Sequence, residues 1–247
     1  MAGNKPLTSI IIPVYNESEY ILTTLRICCE LPINKEIIVV DNNSTDNSYA
    51  LVRSFIDHGM GQNFTIKLKR AQKQGKANAM KVGFAIAQGD YIVFQDADLE
   101  YDPMYIVGIT EALRHYDIIH GCRVCRPYDI GLFPYLANRL ILHMMTKRYR
   151  VRLSDVFTGQ RGYKRDVIRG MKIISSGFEI ETELTARAIL SGLHIKEIDI
   201  PYKPRTRQEG KKIGFLDFLA IVYMYEKICL LVSRENKRKG ILVAAHR

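Results

Sequence analysis

The chain has 247 residues, 47% of them hydrophobic, and carries 36 Lys and Arg against 26 Asp and Glu, a net charge of +10. That length suits one large α/β domain better than two ordinary ones, and the apolar content excludes a disordered chain. The basic balance points away from cationic partners and towards anions such as a nucleotide diphosphate, a lipid phosphate, a phospholipid surface or nucleic acid, although much of such charge can serve only to solvate a surface.

In chain order, residues 8–13, 36–41, 64–69 and 91–96 read as strands, because β-branched residues run together as they do in parallel strands covered on both faces. Between them, 17–29, 44–58 and 76–88 read as helices, and Ser44 and Asp46 suit a helix start. Beyond Asp96 the pattern predicts a helix over 103–115, a strand at 117–121 and a long apolar helix over 130–149 that Pro134 interrupts. A short strand at 160–164, a helix over 178–190, a strand at 195–200 and a helix over 215–234 complete the chain. With no repeat, low-complexity tract or linker, residues 1–247 form a single domain, closed by an apolar helix at about 214–234 and a basic tail.

No signal peptide precedes the first strand, and Asp217, Glu226 and Lys227 break the apolar run 215–232. A spanning helix needs roughly 20 mostly apolar residues. The expectation is a cytoplasmic protein that touches a membrane peripherally if at all. Residues 130–145 and 215–232 are each followed by a basic cluster, a composition that suits interfacial helices as well as core packing. Cysteines at 28, 29, 122 and 125, with a fifth at 229, include one C-x-x-C and no complete zinc set, which fits a reducing compartment.

Ligands of an open α/β sheet bind at the carboxyl ends of its strands. Three such ends are rich in polar groups: Pro13–Glu17, Asp41–Asp46 and Asp96–Glu100. Asp96 and Asp98, two residues apart after an apolar strand, point the same way only if the chain stays extended. With Glu100 they concentrate negative charge that Mg²⁺ or Mn²⁺ would neutralise, and such an ion usually completes its shell with substrate phosphates. Asp98 and Glu100 would equally serve as solvated or capping residues. A carboxylate at Asp41 can accept from the N–H of a pyrimidine or guanine base, Tyr15 can pack on the ring, and Glu17 can hold a ribose hydroxyl. Turn and cap roles for Asp41 and Asp46 are the plainer alternative.

Pro13-Val-Tyr-Asn-Glu17, Val40-Asp-Asn-Asn-Ser-Thr-Asp46, Gly75-Lys-Ala77 and Asp96-Ala-Asp98 resemble, in order and spacing, the successive motifs of glycosyltransferase family 2. The second half resembles its dolichol-phosphate-mannose synthase, or polyprenyl-phosphate glycosyltransferase, branch. The residues that carry this are the strand ending in Gly121-Cys-Arg123, Asn138-Arg139, Asp155-Val-Phe-Thr-Gly159 and Tyr202-Lys-Pro-Arg-Thr-Arg-Gln-Glu-Gly-Lys-Lys-Ile213. Cys122 departs from the serine usual there. The resemblance covers roughly residues 8–220.

It implies a GT-A-type fold, a mostly parallel sheet flanked by helices. It also implies inverting transfer of a hexose from a UDP- or GDP-sugar to a polyprenyl phosphate. Pro13, Tyr15, Glu17, Asp41, Lys76 and Asp96 then hold the nucleotide, and Asp96, Asp98 and Glu100 the divalent ion. A phosphate acceptor is already ionised and needs no strong base, but two anions must be brought together; Arg123, Arg139, Arg205, Arg207 and Lys211 are the cations to do it. Asp98, Arg123 and Asp155 are the candidate catalytic groups, Asp155 orienting sugar hydroxyls or an arginine. Were the acceptor a glycan hydroxyl, Asp155 or Glu179 would be the base; Glu181 and Glu183 share the latter's stretch, where at least one of the three fits a solvated face. A Rossmann dehydrogenase is excluded because Gly59-Met-Gly61 precedes a strand instead of following the first. Nucleic acid is not expected, since no stretch interleaves aromatic and basic residues.

Overall fold

The computed structural model describes residues 5–59, 64–123, 132–205 and 215–238. Strands β1 (Thr8–Val14), β2 (Lys35–Asp41), β3 (Thr65–Arg70), β4 (Tyr91–Phe94), β5 (Ile118–Arg123), β6 (Arg161–Lys164) and β7 (Ile195–Ile200) form one mixed sheet in the order β3-β2-β1-β4-β6-β5-β7. β3, β2, β1 and β4 run parallel, β6 is antiparallel to both β4 and β5, and β7 is parallel to β5. Ile10–Ile12 and Ile37–Val40 are completely buried. Consecutive burial of this kind requires cover on both sheet faces, and two helical layers supply it.

Helices α1 (Ile21–Glu30), α2 (Ser48–Asp57) and α4 (Ile106–Ala112) bury Leu25, Phe55 and Ile109 against one face. On the other face α3 (Lys76–Ile86) and, after α5 (Leu132–Tyr149) and the short α6 (Arg165–Arg169), helix α7 (Ile180–Leu190) bury Met80, Ile180 and Leu184. A third apolar cluster joins α5 and α7 to α8 (Phe215–Arg238) through Ile141, Met145, Ala186, Tyr225 and Ile228. Thus α5 and α8 lie partly as core, as one of the two readings of their composition required. Pro134 does not interrupt α5. It sits in the first turn, where its missing N–H has no intrahelical partner to lose.

At the amino-terminal edge of the sheet Glu36 is nearly buried and accepts from Ser9 Oγ (2.5 Å), Gln88 N (2.6 Å), Gly89 N (3.2 Å) and Lys67 Nζ (2.7 Å). Burial alone would raise its carboxyl; the Lys67, Ser9 and Gln88 contacts outweigh it and hold the group below the ordinary range. Its stabilisation is therefore present above the unfolded-state value and is lost as pH falls through the depressed folded value. Glu36→Ala removes an acceptor from Gln88 N, Ser9 Oγ and the half-buried Lys67, which keeps Ile86 O, and is expected to lower unfolding free energy by about 1–2 kcal/mol, read from urea denaturation.

Candidate active site

The strand order reverses on either side of β1, and the crevice at the carboxyl ends of β2, β1 and β4 follows from that reversal. The loop after β1 is stapled to the loop after β2. Asn16 N donates to Ser44 Oγ (3.1 Å), Glu17 N to Ser48 Oγ (2.9 Å) and Ser18 N to Asp46 Oδ2 (3.0 Å), while Thr45 N donates to Asn16 Oδ1 (2.8 Å). Asn42 Oδ1 in turn accepts from Gly75 N (2.7 Å), fixing the entry to α3. Asn16, Asn43 and Leu99 take positive φ (53°, 61° and 58°), one in each of the three loops. A left-handed leucine costs about 1–2 kcal/mol, so the turn at Leu99 is held by its surroundings.

These loops open on a cavity of about 650 Å³, a size suited to a small-molecule ligand. Its charged lining is uneven, with Glu17, Asp96, Asp98, Glu100 and Glu181 against Lys76, Arg123 and Arg205. Lys76 Nζ bridges Asp96 Oδ1 and Glu181 Oε1, each at 2.8 Å. Although burial opposes it, these two carboxylates raise the lysine above its ordinary range, so it stays charged.

Arg205 grips the opposite wall. Its NH1 and NH2 donate to the two oxygens of Glu17 (2.9 and 3.1 Å), and NH2 also donates to Asp98 Oδ2 (2.8 Å). The short run 201–205 that carries it is pinned by Glu100, whose carboxylate accepts from Tyr202 OH and Arg205 N, both at 2.8 Å. Asp98 is pushed up to about 7, first by burial and then by the charges of Asp96 and Glu100, with Arg205 opposing. Deeper in, Arg123 Nε and NH2 donate to the two oxygens of buried Asp155 (2.5 and 2.8 Å), and the guanidinium lies 5.0 Å from the Tyr202 ring.

Of the residues singled out from sequence, Pro13, Tyr15, Glu17, Lys76, Asp96, Asp98, Glu100, Arg123 and Arg205 all line this cavity. Others do not. Asp41 is buried beside it, held by Arg70 Nε (3.0 Å) and Ser44 N (3.2 Å). Asp155 spends both oxygens on Arg123 and on Phe157 N, so its place is behind the arginine rather than at a reacting atom. Arg139 is exposed, because the helical phase that turns Ala137 and Asn138 inward turns the next residue out. Arg207 and Lys211 lie outside the described residues, as does Cys125 of the C-x-x-C; among the described residues Cys28, Cys29, Cys122 and Cys229 form no disulfide.

The acidic cluster also differs from the expectation of an extended, convergent pair. The chain turns after Asp96, and Asp96 and Asp98 face different cations, Lys76 and Arg205. Among the described residues no three His, Cys, Asp or Glu side chains are arranged as a ready-made cation site.

Nor is any of Glu179, Glu181 and Glu183 a solvated helix residue: Glu179 accepts from Ser176 N and Gly177 N, and Glu183 from Ile174 N, Ser175 N and Arg187 Nε. Sequence reasoning passed over Tyr101, whose OH accepts from Gly159 N (3.1 Å), and Arg161, a fully buried arginine that donates to Val156 O, Thr158 O, Glu181 O and Thr185 Oγ1. No spacing signals either one, since both depend on contacts between distant segments.

A family model described as glycosyl transferase family 2 matches residues 9–171. The chain is 27% identical over 228 residues to the dolichol-phosphate mannosyltransferase of Pyrococcus furiosus, covering 88% of this chain and 62% of that protein. It is 32% identical over 222 residues to the undecaprenyl-phosphate 4-deoxy-4-formamido-L-arabinose transferase of Pectobacterium carotovorum, covering 87% and 65%. The chain thus spans a little under two thirds of these relatives' length. It shares its fold with glucosyl-3-phosphoglycerate synthase of Mycobacterium tuberculosis, solved with Mn²⁺, UDP and glucosyl-3-phosphoglycerate, at a TM-score of 0.69 and 14% identity over 92% of this chain and 80% of that one. The likeness extends the resemblance from motif spacing to topology, a GT-A-type α/β sheet with its acidic crevice at the strand ends, and the chain belongs to glycosyl transferase family 2.

Proposed function

We propose that this protein transfers a hexose, with inversion, from a UDP- or GDP-sugar to a polyprenyl phosphate. The observation that carries this reading is the state of the cavity's charges. Glu17, Asp96, Asp98, Glu100 and Glu181 each already hold a hydrogen-bonded partner, and the same lining carries two arginines, Arg123 backed by Asp155 and Arg205 paired with Glu17 and Asp98. A site for a hydroxyl acceptor needs a base with spare capacity. A phosphate acceptor needs none; it needs cations to offset two approaching anions, and arginine supplies them in a fork that matches phosphate oxygens.

Five carboxylates against three cations leave the cavity negative, which opposes binding of a diphosphate. All-oxygen donors with surplus negative charge fit a hard divalent ion such as Mg²⁺ or Mn²⁺. Asp98, with Asp96 and Glu100 beside it, would hold the ion, which would neutralise charge on the departing diphosphate. The chain's own residues do the rest. Pro13, Tyr15 and Asn42 line the nucleotide end, Lys76 keeps Asp96 fixed, and Arg123, aimed by Asp155, faces the acceptor phosphate. Asp41, buried against Arg70 and next in sequence to the lining residue Asn42, would read the base only once the Arg70 contact opens.

Among the described residues no helix is long and apolar enough to cross a membrane. Leu132, Leu136 and Leu140 on α5, and Leu219, Tyr223 and Leu230 on α8, are nevertheless exposed, and the same helices supply Pro134, Ala137, Phe218 and Ile221 to the cavity. Arg139 and Lys147 are exposed on α5 as well. This favours a membrane surface as the side from which a lipid phosphate enters. Leu136→Glu with Leu140→Glu is expected to abolish co-flotation with anionic liposomes while leaving the fold intact.

The deciding experiment is transfer of radiolabelled sugar from a panel of UDP- and GDP-sugars to polyprenyl phosphate, with Mn²⁺ or Mg²⁺. Cation-dependent label in the lipid fraction is the expected result; donor hydrolysis without lipid label moves the reading to a hydroxyl acceptor. Gly159→Ala offers an independent check. A methyl there would meet Asp96 Oδ2 at 2.0 Å and Tyr101 Cε2 at 3.3 Å. Overpacking of that kind costs about 1–3 kcal/mol, and the displaced Asp96 is expected to appear mainly as a higher KM for donor.

A further inference from the structure

We propose that Arg205 is a built-in counter-ion, an alternative occupant of the carboxylates of Glu17, Asp98 and Glu100 that a divalent cation must displace before donor diphosphate can settle. The inference rests on the cation-dependent reading above and adds a latch to it. One guanidinium makes three hydrogen bonds to Glu17 and Asp98, and its Nε lies 4.0 Å from Glu100 Oε1. A hard cation at Asp98 needs those oxygens and repels that charge, so the two cannot share the position.

The latch is held but not sealed. Glu100 grips its backbone through Tyr202 OH (2.8 Å), Arg205 N (2.8 Å) and, from the Glu100 carbonyl, Lys203 N (2.9 Å). Yet, among the described residues, Arg205 Nε is buried with no hydrogen-bond partner. An unmet buried donor offsets part of what the other bonds contribute, so release costs less than a fully satisfied clamp would.

Release also reaches beyond Arg205. Tyr202 packs on Tyr101 (ring centroids 5.1 Å apart) and lies under Arg123, so movement of residues 201–205 changes the face of the second arginine in the cavity. Once displaced, the Arg205 guanidinium is offered to phosphate oxygens, which suit its fork as well as Glu17 does. Cation arrival and presentation of a phosphate-binding arginine thereby become one event.

The test measures cation binding, not activity. Mn²⁺ is titrated into donor-free protein and free Mn²⁺ is read by electron paramagnetic resonance. Arg205→Met is expected to bind Mn²⁺ about tenfold more tightly than the parent, because apparent affinity rises as the competing internal occupant is removed. Tyr202→Phe keeps every charge and only loosens the run 201–205; an increase of about threefold is expected, and this variant keeps the test decisive if Arg205→Met fails to fold. Arg205→Lys should stay near the parent. Parent-like affinity in both Arg205→Met and Tyr202→Phe, with Mn²⁺ still bound when UDP or GDP is added, overturns the latch and leaves the cation-dependent reading standing. Absence of Mn²⁺ binding in every protein even with UDP or GDP overturns both.

Discussion

Asp98→Asn is expected to lower sugar transfer by about 10³-fold, the scale seen when one group that stabilises transition-state charge is removed. The substitution is nearly isosteric, so the loss reports on charge rather than shape. Asp98 lies among Asp96, Glu100 and Arg205, largely out of water, and its carboxyl is pushed up to about 7 by burial and by those two like charges. Neutralising it relieves repulsion while weakening one Arg205 contact, so the thermal midpoint should stay within a few degrees of the parent or rise. The cost belongs to the ligand-bound state, where an uncompensated diphosphate meets the remaining carboxylates. Initial rates at saturating Mn²⁺ separate the two effects: a fall in kcat with an unchanged melting curve is the expected pair. Parent-like turnover would remove Asp98 from the chemistry.

What the chain discloses by itself tracks how locally each feature is encoded. Consecutive branched residues at 10–12 and 37–40 announce parallel strands because only cover on both faces accommodates them, and β1 and β2 appear there. The run 195–200 coincides with β7. Helix starts were less legible. Helix α1 begins at Ile21, not at 17, because Glu17 and Ser18 give their N–H groups to Ser48 at the start of α2 and to Asp46 in the loop before it. Helix α2 begins at Ser48 because Ser44 and Asp46 serve that same staple.

At the site, residue types and order were readable and pairings were not. Asp96-Ala-Asp98 looks like a convergent pair until the chain turns at Ala97 and Asp98, and nothing in an alanine announces that turn. Lys76 reads as a nucleotide ligand, yet its fixed partners, Asp96 after β4 and Glu181 on α7, are brought to it only by the packing of α3 and α7 on one sheet face. Arg139 shows the limit of motif reading: two residues along one helix separate the cavity wall at Ala137 from the exposed surface.

Asp155 is where that distinction between residue and pairing can be measured. If it positions Arg123, Asp155→Asn keeps a hydrogen-bond acceptor but loses the charge that completes a bidentate pair, and kcat should fall by about 10²-fold. The pH profile is the discriminating readout. A general base leaves an acid limb that vanishes on mutation; a residue that only aims an arginine leaves the profile's shape unchanged at a lower plateau. Geometry favours the second outcome, since both Asp155 oxygens are engaged by Arg123 and Asp155 does not line the cavity. A double-mutant cycle adds an independent test. Arg123→Ala is expected to cost about 10²–10³-fold, and Arg123→Ala with Asp155→Ala should be no slower than Arg123→Ala alone, because the carboxylate then has nothing left to aim. Additive losses would mean that Asp155 reaches the substrate by a route of its own, and a parent-like rate for Arg123→Ala would move the acceptor phosphate away from β5 altogether.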